Sequence, residues 1–278
     1  MRCAACALVA LVGTAATADP LPPSAPLGRW VVEGRAGELD CVLSRDFGDA
    51  AHPIGLAIRP SLAGRVTVLV SFQTKTLQRL RATTGKVTLL PAGLVVSGDR
   101  SFKFAPDLER ETMAVTFNPT RTQALLAGLV DASAIGVEVG ERNVLLSTGP
   151  TRAAATALAG CQAQLAQSLG ANQAAFIHPA SESALEWVKP EDYPPSDRAA
   201  LPASRAVMLL TIERDGKPTA CRAAVPSGHP ASDEATCRAL LRRAHYDPAP
   251  GSSPRHAVIR MSWTAIGSSL IPVAENSF

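Results

Sequence analysis

The chain has 278 residues, of which 46% are hydrophobic and 18% are charged, and its formal net charge is +3 at neutral pH. That balance provides no electrostatic footprint for nucleic acid, and two tyrosines, three tryptophans and seven phenylalanines provide no platform for stacking bases. The length and the apolar content are enough for two medium domains, each with its own core, and we expect two.

The first 18 residues have the layout of an export signal. They contain one basic residue, an apolar run and an Ala16-Thr17-Ala18 cleavage site. The run is shorter than the roughly 20 residues that a membrane-spanning helix needs. We therefore expect a signal peptide at residues 1–18 and a mature chain that begins near Asp19, with an uncleaved inner-membrane anchor as the alternative. Cys3 and Cys6 have the spacing of a redox motif, but export would remove them with the leader.

Four cysteines remain in the mature chain: Cys41, Cys161, Cys221 and Cys237. An even number of cysteines in an exported protein indicates two disulfides, although four cysteines allow three different pairings. The positions of the cysteines in the predicted elements favour one of these pairings.

Residues 28–169 predict a mostly β domain that ends in a helix. The predicted strands are Trp30–Glu33, Leu39–Leu43, Ile54–Ile58, Arg65–Phe72, Lys86–Leu90, Leu94–Val96, Met113–Phe117, Ala134–Val139 and Asn143–Ser147. The polar and glycine residues of Arg45–Asp49 predict a turn. The predicted helices are Thr120–Leu129 and Arg152–Leu169. On the second helix, Cys161 belongs to an apolar stripe that faces a core, where it can reach Cys41 on an early strand.

The apolar periodicity fades over residues 170–186, which we interpret as a linker. The second domain, 187–265, is easier to interpret, and residues 266–278 follow as a tail. Its predicted elements are a helix at Tyr193–Leu201, a strand at Ala206–Glu213, a hairpin turn at Arg214–Lys217, a strand at Thr219–Val225, a helix capped by Ser232 that ends at Arg243, and a strand at His256–Trp263. The fold class is therefore α+β, with a small α-β-β-α-β domain after the β-rich one.

The two cysteines of the second domain lie on apolar faces of neighbouring elements. Cys221 shares a strand face with Ala223 and Val225, and Cys237 lies on the apolar side of the following helix. A strand-to-helix disulfide is geometrically natural here and stabilises by about 3 kcal/mol in the chain-entropy model.

This order of elements resembles the C-terminal domain of the TonB energy-transducer family, in its disulfide-bearing variants. The residues that carry the resemblance are Tyr193-Pro194, Asp215-Gly216, Ser227-Gly228, Asp233-Glu234-Ala235 with the run to Arg238, Tyr246 with Pro248-Ala249, and the closing strand to Trp263. Family members of this kind are periplasmic modules in which a short peptide of an outer-membrane transporter pairs beside the third strand, by β-augmentation. The resemblance implies a docking edge made of His256, Ala257, Val258, Ile259, Arg260, Met261, Ser262 and Trp263.

The resemblance also implies the partner, which is an outer-membrane TonB-dependent transporter or another periplasmic protein. An energy transducer of this family has a membrane helix and usually a long proline-rich spacer. Because the chain has only a short leader and a modest linker, we expect a periplasmic TonB-like protein. The alternative is a structural envelope protein that forms a homodimer through the same edge.

Two hypotheses assign chemistry to the residues in and near the loop between Cys221 and Cys237: a hydrolase site and a zinc site. Ser227, His229 and Asp233 have the residue types of a hydrolase, but they lie in one short turn without a Gly-x-Ser-x-Gly elbow, and a turn with a helix cap is the simpler interpretation. Cys221, His229, Cys237 and His245 have suitable types for zinc, but their spacing fits no familiar pattern. We expect His52, beside a proline, to be an exposed loop residue without a functional role.

No phosphate loop, dinucleotide fingerprint or nucleophilic cysteine is recognisable. We therefore expect no enzymatic activity, no cofactor, no metal and no small-molecule substrate. The second domain has a basic bias from seven arginines: Arg205, Arg214, Arg238, Arg242, Arg243, Arg255 and Arg260. They can attract an acidic peptide, although a solvated charged face is the simpler interpretation.

Overall fold

A computed structural model of the protein describes residues 22–74, 78–105, 109–177, 186–194, 204–249, 254–266 and 269–274. The predicted signal peptide lies outside the described residues, and so does the predicted helix at Tyr193–Leu201 from residue 195 onward.

Within these ranges the chain forms three antiparallel sheets and three α-helices. The strands are β1 Pro26–Arg35, β2 Asp40–Asp49, β3 His52–Pro60, β4 Val66–Gln73, β5 Gln78–Thr83, β6 Gly85–Leu90, β7 Leu94–Ser97, β8 Arg100–Ala105, β9 Arg110–Phe117, β10 Ala134–Val139, β11 Arg142–Ser147, β12 Ser204–Ile212, β13 Pro218–Val225, β14 Arg255–Ile266 and β15 Ser269–Ala274. The helices are α1 Pro119–Leu129, α2 Arg152–Ser168 and α3 Pro230–Arg243. The predicted α+β class, rich in strands, is confirmed.

The first two sheets pack face to face around one core. The first has the strand order β1-β2-β3-β4-β9-β8-β5 and the second has the order β11-β10-β6-β7. Alternate apolar residues of each sheet point into the space between them, as the period of a strand requires. On β4 these are Val66, Val68 and Val70, and on β6 they are Val87 and Leu89, all of them buried.

Helix α2 packs against β1 and β2 and is bonded to the sheet. Cys161 of the helix forms a disulfide with Cys41 of β2, with the two Cα atoms 6.1 Å apart. Leu158, one turn before Cys161, is buried in the same core. This is the pairing predicted from the apolar stripe of the helix.

The third sheet has the order β13-β12-β14-β15, and α3 covers one of its faces. Met208 and Leu210 of β12 are fully buried against Leu240 of α3. Cys221 and Cys237 form the predicted strand-to-helix disulfide, with their Cα atoms 5.5 Å apart.

The hairpin between β12 and β13 turns at Gly216, which has a φ of +85°. Its amide donates to the carbonyl of Glu213, and its own carbonyl accepts from the amide of Tyr246 at 2.9 Å. A Cβ atom at this position would lie 1.8 Å from the Tyr246 carbonyl oxygen. Glycine is therefore required both by the backbone conformation and by the close approach of the chain that follows α3.

The other face of the third sheet packs against the first half of the chain. Leu209 of β12 shares an apolar cluster with Leu62, with Ala166 of α2 and with Phe176. Part of the predicted linker is thus packed structure, because a short 3-10 turn at Gln173–Ala175 brings Phe176 into this cluster. The third sheet is covered on both faces.

Several element boundaries differ from those predicted. Arg45–Asp49 is not a turn but the end of β2, because Phe47 is fully buried and anchors the pairing of this stretch with β3. Helix α3 begins at Pro230, so Ser232 lies inside it and is buried instead of capping it. Strands β5, β8 and β15 were not predicted, and β15 lies in the predicted tail.

Candidate functional site

The strand that contains the predicted docking edge, β14, is an inner strand of its sheet. It pairs with β12 along one side, from Arg255 to Trp263. On the other side it pairs with β15, from Met261 opposite Ala274 to Ile266 opposite Ser269. The predicted edge is therefore corrected over Met261–Trp263, where the chain's own last described strand takes the place of a free edge.

A second segment of the chain meets the opposite end of β14. Phe176 forms a parallel bridge with His256, and the amide of Ile177 donates to the carbonyl of His256 at 2.8 Å. Within the described part of the chain, no strand pairs with β14 between these two contacts. Among the described residues, the stretch Ala257–Arg260 thus has no strand partner on that side.

The direction of the backbone groups in this stretch follows from the pairing with β12. In an antiparallel pair, the N–H and C=O groups of alternate residues point to opposite sides of the strand. The carbonyl of His256 points away from β12, because it accepts from Ile177. The register with β12 is continuous, so the backbone groups of Val258, Arg260 and Ser262 point the same way. Of these, Ser262 lies opposite Val273 of β15.

The same register gives the direction of the backbone in β15. Since Ser262 and Thr264 point toward β15, their partners Val273 and Ile271 point back toward β14. The nitrogen of Pro272, between those partners, consequently faces the outer side of β15. Proline has no N–H to donate, so the outer side of β15 is a poor place for another strand to pair.

The two faces of β14 are both packed. Ala257, Ile259 and Met261 are buried against α3. Val258, on the opposite face, packs against the cluster around Phe176. The ring of His256 contacts Phe176, with ring centroids 5.7 Å apart.

Arg260 is 9% exposed and reaches into the first half of the chain. Its guanidinium donates to the backbone carbonyl of Glu38, from Nε at 3.2 Å and from Nη2 at 2.6 Å. Burial lowers the pKa of this guanidinium, because the charged form loses hydration. Arg205 of β12 donates to the carboxylate of the same Glu38 at 2.7 Å.

The turn that presents the Glu38 carbonyl is held by a buried carboxylate. Asp40 accepts from Nε of Arg35 at 2.8 Å and from Nη2 of Arg59 at 2.7 Å. Burial acts to raise the pKa of Asp40, but the hydrogen bonds from the two arginines outweigh it, and the pKa is lowered. Leu39, just before Asp40, has a φ of +49°, a left-handed conformation that is unfavourable for a residue with a side chain.

No protein-family model, curated protein or solved structure matches this chain. Its function is therefore inferred from the geometry of β14 and its neighbours.

The residues of the hydrolase hypothesis serve the backbone around the start of α3. The carboxylate of Asp233 accepts from the amide of Ser227 at 3.1 and 3.3 Å. The hydroxyl of Ser227 accepts from the backbone amide of His229 at 3.1 Å. These contacts are those of a turn that leads into a helix without a side-chain cap, and the described contacts include none between the Ser227 hydroxyl and the His229 ring.

The residues of the zinc hypothesis are not gathered. Cys221 and Cys237 are bonded to each other, and His245 packs beside Trp187 with ring centroids 5.8 Å apart. The described residues contain no group of three metal-ligating side chains close enough to hold an ion. His52 is exposed, 3.9 Å from the carboxylate of Asp49. In the described part of the chain, no helix combines the length and apolar character needed to cross a membrane.

Most of the arginines that make the second half basic bond to groups of the protein itself. Arg242 and Arg243 both bond to Asp192, which fixes the segment before β12 to α3. Arg238 pairs with Glu234 on the helix surface at 3.6 Å. Arg255 donates to backbone carbonyls, and Arg205 and Arg260 both donate to Glu38. These partners weaken the argument for attraction of an acidic peptide.

Proposed function

We propose that the protein docks an extended peptide, which adds as a strand beside β14. The observation that most directly supports this proposal is the row of backbone groups at Val258, Arg260 and Ser262. They face away from β12, and the first two lack a strand partner among the described residues. A row of free N–H and C=O groups on an ordered strand is the surface that β-augmentation uses.

The resemblance to the TonB C-terminal domain supports the same strand. In that family the peptide pairs beside the third strand of the domain, and β14 is the third strand of the second half in chain order. The proposed partner is accordingly an outer-membrane TonB-dependent transporter or another periplasmic protein.

The location follows from the disulfides and the predicted leader. Two disulfides indicate that the protein folds in an oxidising environment. Together with the signal peptide predicted at residues 1–18, this favours the periplasm.

The surroundings of β14 also suit docking. One face of the strand is packed against α3 and the other against the first half of the chain, and a disulfide ties the helix to the sheet. A strand that is already ordered loses little conformational entropy on binding, so the backbone hydrogen bonds of the peptide contribute more fully to affinity.

Peptide titration of the mature full-length protein tests the proposal. The probes are labelled peptides from the plug regions of the organism's outer-membrane transporters, and binding is followed by fluorescence anisotropy. We expect a saturable signal, and no binding at millimolar peptide would contradict the proposal.

Two variants at one position test whether the backbone of β14 makes the contact. Val258→Pro and Val258→Ala both remove side-chain packing, but only proline removes the outward N–H. We expect Val258→Ala to bind like the wild type and Val258→Pro to bind about two- to tenfold more weakly, the range for one backbone hydrogen bond. If the protein is instead a self-associating envelope component, sedimentation velocity will show a concentration-dependent dimer that Val258→Pro weakens.

A further inference from the structure

Strand β15 lies where the proposed peptide would pair. It occupies the side of β14 that faces away from β12, opposite Met261–Ile266. Three of its residues, Ser269, Ile271 and Val273, face β14 with their backbone groups, by the alternation established above. An incoming strand that reaches this part of β14 must displace them.

The outer side of β15 is not an alternative docking edge. Pro272 faces that side with a nitrogen that carries no hydrogen, in the middle of a strand of six residues. A proline in an edge strand is one of the devices by which sheets prevent further pairing. The sheet is therefore closed at its β15 edge, and a strand can pair along the whole outward side of β14 only if β15 leaves.

We infer that β15 is an internal substitute for the docked peptide, and that the partner is an extended, uncharged, apolar segment that displaces it. This inference rests on the proposed function. The sequence of β15, Ser-Leu-Ile-Pro-Val-Ala, contains no charged residue. It shows that this side of β14 accepts an apolar strand and tolerates proline where the nitrogen points outward.

A longer peptide has an advantage over β15. The outward residues of β14 from Val258 onward are Val258, Arg260, Ser262, Thr264 and Ile266, and β15 pairs with only the last three. A peptide that runs along the whole row gains two further residues of backbone pairing. Against this, β15 is tethered, and a short tether gives an effective concentration in the millimolar range. Because β15 competes at this effective concentration, only a peptide whose affinity for β14 is high enough displaces it.

Removal of β15 tests the inference with a defined probe. The probe is a labelled synthetic peptide of residues 267–278, and the two proteins are the mature full-length chain and a chain truncated after Ile266. We expect the truncated chain to bind the peptide at least about tenfold more tightly, because its edge is open. Circular dichroism and disulfide mapping establish that the truncated chain is folded.

A matched pair of full-length variants makes the same test without truncation. Ile271→Pro removes an N–H that faces β14, whereas Leu270→Pro alters a residue whose nitrogen faces outward. We expect Ile271→Pro to bind the 267–278 peptide like the truncated chain and Leu270→Pro to bind it like the wild type. Equal affinity of all four proteins, or no binding to any at millimolar peptide, would overturn the inference.

Binding of the transporter peptides to the full-length and truncated chains tests the proposed function separately from the role of β15. If those peptides bind the full-length and truncated chains equally, docking stands and the role of β15 is wrong. If the truncated chain binds the 267–278 peptide but neither chain binds a transporter peptide, the role of β15 stands and the transporter is not the partner. A full-length dimer that truncation dissociates would show that β15 pairs between two copies, which also overturns the inference.

Discussion

The guanidinium of Arg260 donates to the backbone carbonyl of Glu38, with Nη2 and the oxygen 2.6 Å apart. The first residue lies on β14 and the second lies in the turn between β1 and β2, more than two hundred positions earlier in the chain. This contact ties the strand that we propose for docking to the first half of the protein. It gives that half a role in holding β14 in place.

We predict that Arg260→Met weakens this link without a large loss of stability. The pKa of Arg260 is lowered by burial, so the charged side chain is less favourable in the fold than in water. Its hydrogen-bond partners are neutral carbonyls, and the attraction of Asp40 for its charge is smaller than the effect of burial, so removing the charge returns part of that cost and offsets the lost hydrogen bonds. We expect the free energy of unfolding in urea to fall by no more than about 1 kcal/mol.

Hydrogen exchange gives the second readout for Arg260→Met. The amides of the turn at Glu38 and Leu39 should exchange faster in the variant, since the turn loses its contact with β14. Arg205→Met, which removes a more exposed partner of the Glu38 side chain, is the matched control and should change exchange less. A large loss of stability with unchanged exchange would contradict this account.

Asp40→Asn is predicted to destabilise the protein at neutral pH. The Asp40 side chain is only 4% exposed and bonds to two arginines, so its removal leaves Arg35 and Arg59 without their carboxylate. We expect a loss of about 3 kcal/mol in the free energy of unfolding. Asp131→Asn, at an exposed pair with Arg152, is the control and should have little effect.

The pH dependence of the same variant has a defined sign. The pKa of Asp40 is lowered in the fold, so its contribution is fully present above the unfolded pKa of about 3.9 and is lost as the pH falls through the folded value. The gap between wild type and Asp40→Asn should be constant from pH 7 to about 5 and should shrink below pH 4. Urea unfolding at several pH values measures it. A gap that grows on acidification would contradict the assignment.

The fold of the second half was largely predictable from sequence, because local signals agree with one another there. The Asp215-Gly216 turn, the alternation of β12 and the apolar stripe of α3 each specify one element. The disulfides were predictable for the same reason, because the cysteines lie on apolar faces of elements that pack together.

The pairing of β15 along part of the proposed docking edge was not predictable from sequence. Strand β15 is six residues long with a proline in the middle, which argues against a strand unless the direction of each nitrogen is known. The contact of Arg260 with Glu38 joins residues that no local pattern relates. The strand ending at Asp49 was missed because polar residues surround Phe47, whose burial depends on the sheet that covers it.

Tyr246→Phe is predicted to leave stability unchanged or to raise it. The Tyr246 hydroxyl is buried without a hydrogen-bond partner among the described residues, and burial raises its pKa strongly. Removing a polar group that has no partner recovers its desolvation cost, about 1 kcal/mol. Tyr246→Leu is the control: it removes the contact of the ring with Trp187, whose centroid lies 5.2 Å away, and should cost about 2 kcal/mol. Thermal unfolding of the two variants measures the difference, and a loss in Tyr246→Phe would reveal a partner for the hydroxyl.

The two disulfides are predicted to differ in how much they stabilise the protein. Cys41 and Cys161 are 120 positions apart, whereas Cys221 and Cys237 are 16 apart. A cross-link that closes a longer loop removes more entropy from the unfolded chain, which gives about 5 kcal/mol for the first disulfide and about 3 kcal/mol for the second. We therefore expect the double variant Cys41→Ala/Cys161→Ala to lose more stability in urea than Cys221→Ala/Cys237→Ala.

Peptide binding should show the opposite order. Only the second disulfide ties α3 to the sheet that contains β14, so its loss loosens the surroundings of the docking strand directly. At a urea concentration at which both double variants remain folded, Cys221→Ala/Cys237→Ala should bind the transporter peptides more weakly than Cys41→Ala/Cys161→Ala. If affinity instead follows stability, the packing of α3 against the third sheet does not hold β14 ready for the peptide. In that case the contacts of β14 with the first half of the chain, through Arg260 and Val258, would be the ones that do.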